Sequence, residues 1–308
     1  MKKLISLAVI FCFLIPVACF GASDTLTKAL GHITSVQAEN GAWSRLRGEF
    51  PPEAEPTAWA VKVLSMRGGQ GPAVEKGVAF LLKDQKPDGS WNNNTAHTAF
   101  AILGLTQAQK GGEAVKKGIA YLRSVQDEQG GFRRIGREGA PLTVYTAVVV
   151  DAFKAAGLAG GDPAVVRAVF WLKSCQNSDG GYGMPKGSPS VALGTAWTVR
   201  ALRATGVDVE APEVKNGIAY LLTMQGPSGG FSMSRGLPED PEITAYAIMC
   251  LKGLPAAKDA VAKAAANLGK VQHENGAFTS AAPIQFNHQP KENTQTTLFV
   301  AWALAEIE

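Results

Sequence analysis

The sequence predicts an all-α protein, a closed α/α barrel of six helix pairs. Three observations lead to this fold class. One short motif recurs six times along the chain at nearly constant spacing. In the repeats, an amphipathic helical pattern precedes the motif, and an almost wholly apolar helical pattern follows it. A period of this size is typical of supersecondary units that stack on one another or close into a ring.

The repeated motif is Gln, three residues, Gly, one residue and an aromatic. Its copies are Gln37-Gly41-Trp43, Gln85-Gly89-Trp91, Gln126-Gly130-Phe132, Gln176-Gly180-Tyr182, Gln225-Gly229-Phe231 and Gln272-Gly276-Phe278. Successive Gln residues are 48, 41, 50, 49 and 47 residues apart. We expect the Gln amide to bind backbone groups at a helix end and the aromatic ring to pack on a neighbouring repeat, so the motif itself is interpreted as structural.

The amphipathic helices are predicted before the Gln, over Pro72–Asp84, 113–125, 163–175 and 212–224. Apolar residues there recur every three to four positions with Lys and Glu between them, which fits a helix with one buried face. Proline opens several of them, where its missing N–H costs nothing. The Gly of the motif is expected to end each helix in a left-handed conformation, which glycine adopts without strain.

The second helix of each repeat aligns on a threonine. The six are Thr57, Thr98, Thr146, Thr195, Thr244 and Thr297. Because these helices are apolar on nearly every side, they should form an inner ring inside the amphipathic ones. Three charged residues lie five positions after their Thr: Lys62, Asp151 and Arg200. Asp151 and Arg200 belong to adjacent repeats, so we expect them to form an ion pair inside the barrel.

The first 21 residues are interpreted as a secretory signal. Lys2 and Lys3 precede a short apolar run with a small-residue site before Ala22, which predicts export to the periplasm or beyond. A less favoured alternative is a lipid anchor at Cys19. The toroidal domain would then occupy residues 22–308. Cys175 and Cys250 remain in it, and the sequence does not show whether they pair.

The composition is globular, with 46% hydrophobic residues. The net charge of +4 is too small to make nucleic acid a partner by default. A membrane-surface association and a protein partner subunit stay open.

The repeats resemble the QW motif of terpenoid cyclases and the related repeat of protein prenyltransferase β subunits. The resemblance extends from about residue 25 to the C-terminus and implies a single (α/α)6 toroid. It also implies a central cavity that binds an apolar, isoprenoid or lipid-like molecule. Because the same toroid serves cyclases, transferases and thioester domains, it does not fix the reaction.

Prenyltransferases of this fold hold zinc with Asp, Cys and His at the starts of inner helices. At the corresponding positions only His97 matches a ligand type, so we expect no zinc and no other cofactor. His97 is expected at the cavity mouth, either as a hydrogen-bonded histidine or as a catalytic residue.

Cyclases of the squalene–hopene type protonate their substrate with an Asp-x-Asp-Asp-Thr-Ala motif. The sequence retains acids at its first and third positions, as Asp240 and Glu242, but has Ile243 at the fourth. A second copy, with Glu53 and Glu55, suggests ordinary acids at helix N-termini. Asp240 and Glu242 remain candidate catalytic acids.

The resemblance places the cavity at the starts of the inner helices. The residues expected to line it are Trp59, Phe100, Tyr145, Trp197 and Tyr246. The favoured function is ligand binding without zinc-dependent transfer. The alternatives are an enzyme, either a cyclase-like lyase or transferase or one acting on a polysaccharide, and a subunit that needs a partner.

Overall fold

A computed structural model describes residues 18–66, 71–280 and 291–308, with side chains from residue 23 onward. These residues form helices that alternate between an outer and an inner ring. The outer helices are α1 (Ala18–Ser35), α3 (Pro72–Asp84), α5 (Gly112–Val125), α7 (Pro163–Lys173), α9 (Pro212–Leu222) and α11 (Lys258–Val271). The inner helices are α2 (Ala54–Met66), α4 (Thr95–Gln107), α6 (Thr143–Ala155), α8 (Ala192–Ala204), α10 (Pro241–Leu251) and α12 (Thr294–Ile307).

The six helix pairs close into a ring. Each inner helix packs against the inner helix of the next repeat, and α12 returns to pack against α2. The Trp59 and Phe299 rings, from the first and sixth repeats, lie 4.8 Å apart at this junction. The predicted all-α toroid, closed into a ring, is therefore confirmed.

The two rings differ in burial as their sequence patterns predict. Every residue of α4 from Thr95 to Leu105 is buried, whereas α5 buries only a stripe of its residues. The outer helices keep the predicted bounds with small changes: α5 begins one residue earlier, and α7 and α9 end two residues earlier. In α7 the early end reflects a tighter last turn, in which the Cys175 N–H donates to the Leu172 carbonyl at 3.1 Å.

The motif glutamine links each repeat to the next. The Gln126 Nε2 donates to the Gly130 carbonyl at 3.1 Å and to the Ala164 carbonyl, at the start of α7, at 2.8 Å. The other five glutamines make the same pair of bonds. In the last repeat, Gln272 donates to the Thr25 carbonyl of α1 at 2.9 Å and so closes the ring.

The prediction that the motif glycine ends the helix is wrong, although its left-handed conformation is confirmed. Helices α3, α5 and α11 end just before the Gln, which is already extended, and the Gly lies four residues further on. Gly130 has φ +103°, and a Cβ there would lie 2.2 Å from the Arg167 carbonyl oxygen of the next outer helix. The glycine is thus required both by its backbone conformation and by the close approach of two repeats.

The motif threonine fixes the aromatic residue to the inner helix. The Phe132 N–H donates to the Thr146 Oγ1 at 2.9 Å, and the same bond is made in all six repeats. The ring then packs across the repeat boundary: a Cβ on Gly77 of α3 would lie 2.9 Å from the Trp43 ring of the first repeat. The expected packing of these rings on neighbouring repeats is confirmed there.

Short strands occur in two of the loops between motif and inner helix. Strand β1 (Phe231–Ser232) pairs antiparallel with β2 (Glu239–Asp240), and β3 (Phe278–Ser280) pairs antiparallel with β4 (Lys291–Asn293). A 3₁₀ turn over Pro255–Ala257 precedes α11. The loops that carry these four strands lie at the end of the barrel where the inner helices begin, so they surround its opening.

The expected signal segment lies mostly outside the described residues, which begin at α1. Within the described ranges, no helix combines the length and the apolar character needed to cross a bilayer. Cys175 and Cys250 are both buried free thiols. Burial raises the pKa of Cys175 to about 11 and that of Cys250 to about 12, so both stay protonated at neutral pH.

Candidate functional site

A cavity of about 660 Å³ opens where the inner helices begin. Its wall follows the helical register of the six repeats. The residues two positions after each motif Thr all line it: Trp59, Phe100, Val148, Trp197, Tyr246 and Phe299. Five of the six are aromatic, and neighbouring rings meet at angles and distances typical of edge-to-face packing, as for Trp59 and Phe100 at 5.3 Å and 84°. Tyr145 lies nearer the opening and lines the cavity too.

A second ring of residues lies nearer the mouth, two positions before each motif Thr. Five of its six members line the cavity: Glu55, Ala96, Val144, Leu193 and Gln295. The sixth, Glu242, is not among the lining residues. This ring therefore has an apolar side, formed by Val144 and Leu193 of the third and fourth repeats, and a polar side, formed by Gln295 and Glu55 of the sixth and first.

Arg45 is the centre of the polar side. It follows the first motif by two residues, and its guanidinium pairs with Glu53, through Nε to Oε1 at 2.7 Å, and with the buried Glu55. The guanidinium also lies over the Trp59 ring, 5.7 Å from its centroid. These two carboxylates neutralise the charge of Arg45, and Arg134, which also lines the cavity, brings a second positive charge to this region.

His97 lies beside this cluster, in the wall of the cavity, as the sequence predicts. Its Nε2 is 3.4 Å from both the Arg45 Nη2 and the Glu55 Oε2. Burial, together with the positive charges of Arg45 and Arg134, lowers the pKa of His97 to about 3 despite the nearby carboxylate. The imidazole is therefore neutral at physiological pH.

Glu53, Glu55 and His97 also form the one cluster of metal-ligand type among the described residues, with their ligand atoms within 4.8 Å of one another. They do not fit the zinc site of prenyltransferases, which uses Asp, Cys and His. Both carboxylates are engaged by Arg45, whose charge a divalent cation would have to displace. We therefore derive no step through a metal.

Glu242 is buried between α10 and α12. Its Oε1 accepts from the Tyr246 hydroxyl at 2.6 Å and the Gln295 Nε2 at 2.7 Å, and its Oε2 accepts from the Thr296 hydroxyl at 2.8 Å. Burial raises the pKa of Glu242, and the three donors only partly offset this effect. The carboxyl reaches the cavity through Tyr246 and Gln295, which line it.

Asp240 caps helix α10. Its Oδ1 accepts from the backbone N–H groups of Glu242 at 2.9 Å and Ile243 at 3.2 Å, and its Oδ2 accepts from the Ser280 hydroxyl at 2.8 Å. This is an N-cap of the ordinary kind. Asp240 does not line the cavity, so of the three candidate catalytic residues only His97 lines it.

Charged residues fill the opposite end of the barrel. The predicted pair is confirmed, with the Arg200 Nε 2.7 Å from the Asp151 Oδ2. Arg200 also binds Glu306, from α12, at 2.8 and 2.9 Å. Lys62 lies over the Trp302 ring, 4.7 Å from its centroid. Burial and the neighbouring Arg200 lower the pKa of Lys62 to about 8.

Comparison with protein families agrees with this architecture. The model of the squalene-hopene cyclase C-terminal domain matches residues 8–102 and 95–240, and the model of the prenyltransferase alpha-alpha toroid domain matches residues 188–307. The chain belongs to the squalene-hopene cyclase C-terminal domain family, and its resemblance to terpenoid cyclases is confirmed.

Individual relatives are more distant. A squalene–hopene cyclase from Bradyrhizobium diazoefficiens is 29% identical over 161 residues, which are 48% of this chain and 18% of that enzyme. The matched part thus spans less than a fifth of the relative's length. Among solved structures, a variant of the type II terpene cyclase MstE from Scytonema, in complex with its substrate geranylgeranyl dihydroxybenzoate, has a TM-score of 0.76 at 17% identity and covers 94% of this chain and 98% of its own.

A protein geranylgeranyltransferase-I from Candida albicans, complexed with GGPP, superposes with a TM-score of 0.63 at 14% identity over 81% of this chain and 82% of its own. At these identities the likeness of the two structures to this protein shows the fold alone.

Sequence reasoning missed several residues of the site, among them Arg45, Gln295 and Phe299. Phe299 occupies the same register as the predicted aromatics, so the alignment on Thr297 is sufficient to find it. Gln295 lies in the register of Glu55 and Glu242. Arg45 lies in a loop, two residues after the motif aromatic, the position that Arg134 and Met184 occupy in their repeats, and all three line the cavity.

Proposed function

We propose that this protein binds an isoprenoid or similar apolar chain in its central cavity. The observation that carries the proposal is the ring of five aromatic side chains and Val148 around the cavity wall. Aromatic faces and aliphatic walls favour an apolar ligand by burying its surface. Relatives whose ligands are named bind geranylgeranyl compounds, which supports this ligand class.

Binding can be tested by equilibrium dialysis with a radiolabelled acyclic C20 isoprenoid hydrocarbon. Val148→Trp completes the aromatic ring with a side chain that fills part of the cavity. We expect saturable binding at one site per chain for the native protein and at least a tenfold weaker affinity for V148W. Val166→Trp, on the exposed face of α7, is the matched control and should bind as the native protein does.

Equal binding by V148W and the native protein, or no binding by either, would contradict the proposal. Circular dichroism and melting curves of both variants establish that the barrel is intact.

A second candidate function is proton-initiated cyclisation, with Glu242 as the acid. It is favoured by the raised pKa of this carboxyl and its 2.6 Å hydrogen bond to Tyr246, which lines the cavity. Because Glu242 itself is not in the wall, the proton would pass through the Tyr246 hydroxyl. Protonated Glu242 would donate to the Tyr246 oxygen, the reverse of the hydrogen bond described above, and the phenol would give its own proton to the substrate double bond as it takes the carboxyl proton. The carbocation formed would later lose a proton, which would return through Tyr246 to the Glu242 carboxylate.

This candidate is tested by incubating the protein with a linear C20 polyene and analysing products by mass spectrometry. Cyclic product formed by the native protein and lost in Glu242→Gln, with polyene binding retained, is the expected pattern. Absence of product in the native protein, or product unchanged in E242Q, excludes this role for Glu242.

We also propose that the protein is exported and acts outside the cytosol. The two N-terminal lysines and the short apolar run that follows them support this. N-terminal sequencing of protein from its native cells should find a start near Ala22 or a lipidated Cys19. Recovery of Met1 would refute the proposal.

A further inference from the structure

Three unpartnered polar atoms occur together on the polar side of the cavity. They are the Trp59 Nε1, the His97 Nδ1 and the Gln295 Oε1, each buried and without a hydrogen-bond partner. The other unpartnered buried side-chain atoms of the described residues are all hydroxyl oxygens. These three belong to side chains that line the cavity and are at most 4% exposed. Buried polar groups without partners are rare and destabilising, so such a group in a cavity wall points to a ligand.

The three residues come from repeats that adjoin in the ring. Gln295 begins α12, Trp59 lies in α2 and His97 in α4, and α2 packs against both of the other helices. The inner helices of the third and fourth repeats offer Val144, Val148 and Leu193 on the facing wall, and the third repeat also contributes Tyr145 and Arg134. The three unpartnered atoms thus lie opposite a largely aliphatic part of the wall.

The donor and acceptor roles of the three atoms follow from their surroundings. The Trp59 indole N–H can only donate. Gln295 donates through Nε2 to Glu242, which leaves its Oε1 as an acceptor. The His97 Nδ1 donates or accepts according to the tautomer, since Nε2 lies 3.4 Å from both the Arg45 guanidinium and the Glu55 carboxylate. The wall thus presents a donor, an acceptor and a histidine nitrogen that can take either role.

The local charge offers a strongly anionic group no net attraction. Arg45 is bound by both Glu53 and Glu55, and Arg134 adds a second positive charge near His97, so the two positive charges are balanced by two negative ones. A diphosphate would lose its hydration there without an excess of positive charge to replace it. A neutral group carries no such cost.

We infer that the cavity binds an isoprenoid alcohol or a similar hydroxyl-bearing apolar molecule, with its hydroxyl against Trp59, His97 and Gln295. A hydroxyl both accepts and donates, so it can bind the Trp59 indole N–H and the Gln295 Oε1 at once, beside the His97 Nδ1. The apolar chain lies along the third and fourth repeats and over the aromatic ring. This inference rests on the proposed binding function and adds the chemical class of the ligand.

The test compares three radiolabelled probes of equal chain length by equilibrium dialysis: a C15 isoprenoid hydrocarbon, the corresponding primary alcohol and its diphosphate. We expect the alcohol to bind about fivefold more tightly than the hydrocarbon, as one to two net hydrogen bonds would give. The diphosphate should bind more weakly than either. Trp59→Phe keeps an aromatic ring but removes the donor, so it should abolish the preference for the alcohol over the hydrocarbon, a ratio of affinities measured within the same variant.

Trp197→Phe is the matched control, since Trp197 has the same register on the fourth repeat, on the apolar side. It should keep the preference for the alcohol. If the hydrocarbon binds but the alcohol binds no better, if the diphosphate binds best, or if W59F and W197F behave alike, the hydroxyl site is refuted while the proposed function stands. If none of the three probes binds, the proposed function itself fails and this inference fails with it.

Discussion

Arg200 connects three inner helices at the closed end of the barrel. It is largely buried and binds Asp151 of α6 and Glu306 of α12 from its own position on α8. Replacing it with Met removes the cation that pairs with the buried Asp151 and leaves the buried Glu306 with Lys252 as its remaining ion-pair partner. We expect Arg200→Met to lower the free energy of unfolding by about 3–5 kcal/mol, measured by urea titration.

Lys215→Met provides the control for this prediction. Lys215 pairs with Glu210 at 2.8 Å, but both side chains are more than 60% exposed. Such a pair contributes little to stability. A similar loss in both variants would show that Arg200 acts through something other than buried charge.

Glu306 makes the stability of the protein vary with pH in the acidic range. Burial alone would raise the pKa of Glu306, but Arg200 and Lys252 outweigh it and lower the value from 4.5 to about 2. The carboxylate therefore stabilises the fold above pH 4.5, and this contribution, about 3 kcal/mol, disappears as the pH falls towards 2. The difference in unfolding free energy between native protein and Glu306→Gln should shrink over that range. A difference that does not vary with pH would contradict this origin.

Among the charged residues at the closed end, the sequence predicted the pair that shares a register and missed the partner that does not. Asp151 and Arg200 occupy the same position in adjacent repeats, so their pairing could be foreseen. Glu306 lies four residues beyond that register, near the end of the last helix. Its contact with Arg200 depends on closure of the ring, which no local pattern encodes.

At the scale of the elements, the motif glycines tie each outer helix to the preceding repeat. Gly130→Ala would place a methyl group 2.2 Å from the Arg167 carbonyl oxygen, and the residue has φ +103°. We expect a clear decrease in melting temperature, because both the turn that contains residue 130 and the backbone of α7 must move.

Gly187→Ala separates the two effects. Gly187 also has a positive φ, +80°, but a Cβ there meets nothing within 4 Å. Gly187→Ala should lower the free energy of unfolding only by the backbone strain, about 1 kcal/mol. Gly130→Ala should lower it by at least about twice that amount. Equal losses would mean that the contact between repeats adds nothing.

The type and order of the helices could be predicted from periodicity, since the apolar patterns of the inner and outer helices differ so strongly. The residue at which each outer helix ends could not be predicted in this way. The left-handed glycine suggested a helix cap, but the glutamine ends the helix by bonding both its own turn and the next repeat. The position of the helix end therefore depends on a tertiary hydrogen bond, which forms only when two repeats pack together.

At the scale of the whole molecule, closure of the ring should make unfolding cooperative. Removal of residues 293–308 deletes α12 and exposes the inner faces of α2, α10 and α1, which pack against it. We expect aggregation and loss of a single melting transition, since no repeat can bury its inner helix alone. A truncated protein that stays monomeric and melts as before would show that closure contributes nothing to stability.

The end of the barrel that is filled by charged residues also restricts how a ligand can enter and leave the cavity. Adjacent inner helices are in contact all the way round, and Trp302, flanked by Lys62 and Arg200, lies beyond the aromatic ring. Among the described residues, the loop end of the barrel axis is therefore the way into the cavity. A ligand bound as proposed, with its hydroxyl at the mouth, would enter with its apolar chain first and leave with its hydroxyl first. We then expect the polar groups around Arg45, more than the depth of the cavity, to set its residence time.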